Sequence, residues 1–421
     1  MSEICFSCYF CGGPCRNIYI IYNYSSPCFE ILLDHTEIGT ELLVTRKMRK
    51  AKLVFKGALM FTVLIVVFCV FLGTLNTFLS PHSLDDDIWS LYIVNLEKIE
   101  NAQRYAAKVL GQKCRKSYVQ QEMSILFPHK YDVSIRPFLG RNSILRDSVF
   151  KYNTPFGFKM HQNSLDQLID LMPAVSLPEE LESKGCKRCL VLGSGGILRG
   201  LGLGPYLNRF DVVIRLNNAP IQGFTNDVGN KTTIRMSYPE GAPKSQREYD
   251  HYMLFVAVMY KGVDFSWLKA MIKKERVSFW KRIWFWQKVT EELPIEPTQF
   301  RILNPEIIRE TALDLLQLPE PQSKLWGWDQ NIPTLGVSAV VLATHLCDEV
   351  SLAGFGYNLS QPQIPLHYYE NVQMHAMKAQ TMHNVETERN FLEDLVKAGV
   401  VTDLSGGIHC KFCNKQESTI F

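Results

Sequence analysis

The sequence has little surplus charge of either sign. Lys and Arg total 45 against 42 Asp and Glu, a net charge of +3. That is too small for a nucleic-acid surface, and no basic run stands out beyond Arg46-Lys-Met-Arg-Lys-Ala-Lys52. Internal repeats and low-complexity stretches are missing, which excludes a solenoid. Aspartate clusters are scarce: Asp85-Asp-Asp87 reads as a solvated linker rather than a metal-binding motif. After the apolar run Gly57–Leu79 no comparable run follows, which excludes a multi-pass membrane protein. The dinucleotide fingerprint is incomplete as well. Gly193-x-Gly195 opens it, but Leu198 stands at the third glycine position, which argues against an NAD or FAD site.

What is present suits one large α/β domain with appendages. The chain has 421 residues, 46% hydrophobic and 21% charged. Gly57–Leu79 is long enough for roughly 30 Å of helix, a bilayer core. Positive charge precedes it and Asp85–Asp87 follows it, so the N-terminus is expected in the cytosol and the body in the lumen. The run is too long and too far from Met1 for a cleaved signal peptide. The expected organisation is a cytosolic tail (1–52), a transmembrane signal anchor (53–79), a stem (80–92) and a luminal catalytic domain (93–421). Met48 offers a second start just before the anchor. Luminal sequons occur at Asn230 and Asn358. Of twelve cysteines, Cys114, Cys186, Cys189 and Cys347 lie in the body, where an oxidising lumen allows two bridges. Cys186-x-x-Cys189 also fits half a zinc site or a redox pair, with Cys410-x-x-Cys413 as the one other pair available.

From Cys186 onward strands and helices alternate. Strands are expected at 188–192, 211–216, 232–236, 252–258 and 349–353, with a short one at 301–303. Helices are expected at 337–346 and 386–398, and a helical pattern fills 93–128. This alternation predicts a doubly wound parallel sheet. Gly193-Ser-Gly-Gly196 follows the first strand, where a glycine turn presents bare backbone N–H groups to an anion. Near the other end, His367 and His383 offer a base and a phosphate partner. Together they suggest a transferase using a nucleotide-activated donor. Phe279-Trp-Lys-Arg-Ile-Trp-Phe-Trp-Gln-Lys288 is expected to be a core helix whose lysines reach outward. The alternative is a helix lying at a bilayer interface.

Four segments in order resemble the motifs of the eukaryotic sialyltransferases. Cys189 to Arg235 is similar to the long sialyl motif, through Gly193-Ser-Gly-Gly196, Asp211-Val-Val-Ile-Arg-Leu-Asn217, Ala219-Pro220 and Val228-Gly-Asn-Lys-Thr-Thr233. Pro333-Thr-Leu-Gly336 through Gly354-Phe-Gly356 resembles the short motif, His367-Tyr-Tyr-Glu370 the third, and His383 with Glu388 the very short one. Ser194 stands where many members have Asn, and Leu335 where the commoner form has Thr. The resemblance covers roughly Cys114 to Ile408. Tyr238-Pro-Glu-Gly-Ala242 and Pro365-Leu-His-Tyr-Tyr-Glu370 point to the α2,3 branch acting on galactose. Within it, Gly193-Ser-Gly-Gly-Ile-Leu198 and Arg235-Met-Ser-Tyr-Pro-Glu-Gly-Ala-Pro243 are most similar to its ganglioside-forming members.

The resemblance implies a GT-A-like variant fold, CMP-sialic acid as donor, inversion at the anomeric carbon and no required metal. Its implied acceptor is the terminal galactose of lactosylceramide, the alternative being N-acetyllactosamine ends of glycoproteins. It implies a Golgi type II membrane enzyme, alone or in oligomers with other Golgi glycosyltransferases. It implies His383 as general base, His367 as partner of the departing phosphate, and Ser194 and Asn217 as donor contacts. Gly336 and Gly356 would admit backbone close to the nucleotide. Cys189 and Cys347 would bridge the long and short motifs, leaving Cys114 and Cys186 as a second pair.

Overall fold

In the computed structural model, runs of aliphatic residues build the sheet. Val212–Leu216 and Leu254–Ala257 are buried at every position, as strands covered on both faces must be. Eight strands form one sheet in the order β1-β6-β5-β4-β3-β2-β7-β8. They are β1 (Phe138–Leu139), β2 (Arg188–Leu192), β3 (Val212–Leu216), β4 (Ile234–Ser237), β5 (Leu254–Ala257), β6 (Phe300–Leu303), β7 (Glu349–Ala353) and β8 (Val401–Asp403). All pairings are parallel except β1 with β6. The structure describes Ile65 and residues 96–140, 147–173, 177–321, 331–356, 365–374 and 382–413. The chain divides into two units, Met1–Leu91 and Tyr92–Phe421, and the sheet with its helices belongs to the second. The predicted anchor (Ile65 apart), the stem and the Asn358 sequon lie outside the described residues. Among the described residues no helix is long and apolar enough to cross a membrane.

Alternation along the strands separates two faces. Cys189 and Val191 of β2 share a core with Val340 and Val341 of the Leu335–Leu346 helix. Leu190 and Leu192 pack with Ala102 and Ala106 of the Leu96–Gly111 helix. Farther along, Phe255 and Ala257 of β5 pack on Trp267 and Leu268 of the Gly262–Lys273 helix. The result is helix, sheet, helix. Leu335–Leu346 is apolar nearly all round because it is buried nearly all round. The Thr334 hydroxyl caps it by accepting from the Val337 N–H at 3.3 Å.

Three expectations need correction. The single helical pattern over 93–128 is two helices, Leu96–Gly111 and Tyr118–Leu126, broken at the segment that carries Cys114. β1 and β8 have no counterpart among the expected strands, since two or three residues cannot establish a period. The core helix expected at 279–288 is one turn, Phe279–Arg282, lying at the surface. Phe285 is buried, but Phe279, Trp280, Ile283, Trp284 and Trp286 are exposed. Val277, Phe285 and Val289 already close the core here, and burying the whole stretch would also desolvate Lys281, Arg282 and Lys288.

Candidate functional site

The strand order fixes where a ligand can sit. From β2 the chain extends one way through β3 to β6, then returns to lay β7 and β8 on the other side. Ligands of such sheets bind outside the carboxyl ends of the strands at this switch. A cavity of about 660 Å³ lies there. Every parallel strand from β2 to β5, and β7, lends the residues that follow it: Ser194, Asn217, Tyr238, Lys261 and Gly356 are examples. His367, His383 and Gly336 line the same cavity, so all the predicted catalytic and donor residues share one wall system.

The glycine turn is not the open anion cradle the sequence suggests. The N–H groups of Gly193 and Gly195 donate to the carbonyls of Ala353 (2.8 Å) and Gly354 (2.9 Å), and that of Gly196 to Leu366 (3.2 Å). A one-turn 3-10 helix follows instead of a long helix with an anion-binding start. The glycines serve contact between chain segments. A Cβ on Gly193 would stand 2.4 Å from the Gly354 carbonyl oxygen. Gly356 has φ +104°, and a Cβ there would stand 2.0 Å from the Gly407 oxygen. Its need for glycine is met by the chain itself, whatever binds nearby. Ser194 is half-buried in this turn, its carbonyl accepting from the Tyr368 N–H at 2.9 Å.

His383 precedes the Val385–Lys397 helix, which Asn384 caps. Its Nδ1 lies 2.8 Å from the Ile332 carbonyl. A carbonyl only accepts, so Nδ1 carries the proton and the neutral ring has its lone pair on Nε2. Burial holds the imidazole below its usual range, against an opposing pull from the Ile332 carbonyl. That is the state of a base. One turn on, the buried Glu388 accepts from the Thr334 N–H (2.7 Å) and hydroxyl (2.5 Å). Burial raises its pKa to about 7, against those two hydrogen bonds. Glu388 therefore ties the His383 segment to the start of the Leu335–Leu346 helix.

His367 bridges to Gly195 in a two-residue antiparallel contact. Its Nδ1 meets the Glu370 carboxylate, and its ring stacks on Tyr369 at 5.3 Å and 6°. The ring is thus fixed in plane with Nδ1–H toward a carboxylate, so Nε2 accepts in the neutral ring and donates only in the imidazolium, the form that pairs with the Glu370 charge. Asn217 takes φ +48°, a left-handed conformation that Asn tolerates. Its Oδ1 accepts from Ser237 Oγ at 3.2 Å. Beneath it, fully buried Arg235 pairs with Glu248 at 3.0 Å and donates to the Asn217 and Ala219 carbonyls. The turn after β3 is held from inside by a buried charge pair, in which Arg235 Nε alone lacks a partner.

Among the described residues the bridges are Cys189–Cys347, Cys114–Cys186 and Cys410–Cys413. Cys186 and Cys189 thus have separate partners and form neither a redox pair nor half a zinc site. Cys189–Cys347 joins β2 to the end of the helix whose start lines the cavity. Asn230 is exposed.

Sequence reasoning missed several wall residues. Tyr238 and Glu240 lie in a recognised segment without an expected role, and Tyr260 and Lys261 have no signal beyond following a strand. Tyr238 and Tyr260 meet edge-on at 5.4 Å, and Lys261 pairs with Glu240. Ile408 reaches the cavity from the C-terminal segment, where buried Asp403 accepts from the N–H groups of Ser405, Gly406 and Ile408.

Comparison with known proteins agrees with this geometry. The lactosylceramide alpha-2,3-sialyltransferase of Homo sapiens is 52% identical over 368 residues, covering 87% of each chain. That of Mus musculus is 52% identical over 86% of this chain and 87% of its own. The CMP-N-acetylneuraminate-beta-1,4-galactoside alpha-2,3-sialyltransferase of Homo sapiens is 42% identical over 75% of this chain and 84% of its own. A crystal structure of a mammalian sialyltransferase in complex with Gal-beta-1-3GalNAc-ortho-nitrophenol superposes with a TM-score of 0.53 at 25% identity, covering 69% of this chain and 98% of that one. Residues 138–400, from β1 to the last turn before β8, match the model of glycosyltransferase family 29 (sialyltransferase), and the chain belongs to that family.

Proposed function

We propose that this chain transfers sialic acid from CMP-sialic acid, in α2,3 linkage, to the terminal galactose of lactosylceramide. The observation that carries the reading is the convergence of His367 and His383 on one cavity at the switch point of a family 29 chain. The lipid acceptor rests on relatives at 52% identity; the beta-1,4-galactoside enzymes stand farther off at 42%.

The chemistry follows from the tautomers. His383 Nε2 takes the proton of the galactose 3-hydroxyl as that oxygen attacks the anomeric carbon. The new C–O bond forms as the bond to the phosphate oxygen breaks, inverting the centre. His367 acts as the imidazolium: its Nδ1–H is held by Glu370 and its Nε2–H donates toward the departing phosphate. Ser194 and Asn217 hold the donor. One phosphate leaves, so histidine suffices without a metal, and turnover should survive chelation.

The sheet and its likeness to solved sialyltransferases support a GT-A-like variant fold. The 53–79 run supports a type II Golgi protein with a cytosolic tail, a stem (80–92), a luminal catalytic domain (93–421) and glycans on Asn230 and Asn358. The test offers detergent-solubilised full-length protein CMP-sialic acid with lactosylceramide and an asialo-glycoprotein side by side, His383→Ala being the blank. Transfer mainly to the lipid supports the reading. Transfer mainly to glycoprotein keeps the chemistry and replaces the acceptor.

A further inference from the structure

The segment from Val277 to Thr290 crosses the rim of the cavity with its ends fixed and its middle turned out. Val277, Phe285 and Val289 are in the core. The indole N–H of Trp267 donates to the Thr290 carbonyl at 2.9 Å, and Gln287 to that of Glu240 at 2.6 Å. The Lys261 ammonium stands 4.8 Å over the Phe285 ring. Against this frame Phe279 (62% exposed), Trp280 (74%), Ile283 (59%) and Trp284 (72%) face water. Elsewhere among the described residues, large exposed apolar side chains stand singly in sequence. Clustering of this kind marks an interaction surface.

Two further observations say what covers it. Exposed Lys273, Lys274, Arg276, Lys281, Arg282 and Lys288 flank or interleave the aromatics in sequence, against the one acid Glu275 in the same stretch; Lys274 and Arg282 pair with Glu296 and Glu291, leaving the other four for a ligand. Rings that are apolar in body and polar at one edge, set among cations, suit the headgroup region of a bilayer bearing anionic lipid. The ridge is also continuous with the site: Trp286, 69% exposed, forms part of the cavity wall.

We propose that this ridge seats the catalytic body on a phospholipid surface. Phe279, Trp280, Ile283 and Trp284 enter the interface, the cations meet headgroup phosphates, and Trp286 turns the cavity mouth toward the membrane. The inference deepens the lactosylceramide reading and rests on it. A lactose head group extends two sugars from its ceramide, so the reacting hydroxyl stays near the bilayer and the cavity has to come to it.

The experiment uses the full-length chain in phosphatidylcholine vesicles, with or without phosphatidylserine. It compares wild type with Phe279→Ser/Trp280→Ser/Ile283→Ser/Trp284→Ser. Three quantities are read: transfer to lactosylceramide in the same bilayer, transfer to a water-soluble lactoside, and quenching of tryptophan emission by brominated phospholipid. Each apolar side chain withdrawn from the interface weakens seating, and the expected loss on the vesicle-borne acceptor is on the order of tenfold. Transfer to the soluble lactoside should stay within about twofold, since none of the four lines the cavity. Quenching should fall with the indoles removed. Equal use of both acceptors by variant and wild type overturns the proposal. So does undiminished quenching together with a lower oligomeric mass, which would assign the ridge to a second copy of the chain. Should the quadruple variant fail on the soluble acceptor too, Lys281→Glu/Lys288→Glu decides, because it alters no apolar packing. Loss of the phosphatidylserine dependence of quenching then supports the proposal, and its persistence overturns it. Failure of wild type on lactosylceramide in detergent, with quenching intact, sinks the acceptor reading and leaves the seating.

Discussion

The two walls of the cavity are built differently. On the β2 and β7 side the wall is main chain: glycine turns pressed together by backbone hydrogen bonds and closed by the loop before Ile408. On the β4 and β5 side it is side chain: Tyr238 against Tyr260, and Lys261 against Glu240. A main-chain wall cannot change without moving strands. A side-chain wall can be altered residue by residue. The first is suited to what all members of a family bind, the second to what distinguishes them.

The largest expected effect lies where the walls meet. His383→Ala should lower turnover by roughly 10²–10⁴-fold with donor affinity little changed. Near-normal turnover, measured with labelled sialic acid, would remove the base from the mechanism. On the main-chain wall, Cys189→Ser should cost about 2–5 kcal/mol of stability. Chemical denaturation under non-reducing conditions reads that loss, and an unchanged midpoint would sink the idea that the bridge holds β2 to its covering helix. Gly193→Ala should cost on the order of 1–3 kcal/mol, because backbone has to yield. Gly111→Ala has open space and should be neutral or stabilising by up to about 1 kcal/mol, so a similar cost at both would erase the distinction.

Two smaller effects depend on pH. The reactive form of His383 is neutral and its pKa is depressed. Activity is therefore lost as pH falls through that lowered value, and the acid limb of kcat/KM should lie below the ordinary histidine range. A limb at or above that range would contradict the burial argument. Glu388 is shifted the other way, to about 7 from 4.5. Its protonated form is favoured in the folded state, so its contribution is full below about 4.5 and is lost as pH rises through about 7. Glu388→Gln should flatten that decline, and thermal melts across the window would detect it.

The same contrast explains what is legible in the sequence. β2 and β7 coincide with the expected spans because four buried aliphatic or small residues after a half-buried charged one leave no alternative period. The glycines beside them are visible, but their purpose is not. They free no N–H groups; they let two turns touch. The histidines come from motif resemblance, while their tautomers need the Ile332 carbonyl and Glu370 in place. Tyr260 and Lys261 are illegible because long connections set which loops meet. The 279–288 ridge misleads because composition does not say whether Phe285 and Val289 have already filled the core.

The sheet order has a consequence for biosynthesis. β2 is an interior strand, yet its second neighbour, β7, is made some 160 residues later, and the loop that closes over Gly356 comes later still. On a ribosome, the strand that leads into the Ser194 turn must wait with one edge unpaired until nearly the whole nascent chain has emerged. A premature stop between β6 and residue 408 would leave a polypeptide with most of its sheet and no finished cavity, a template for pairing with its neighbours.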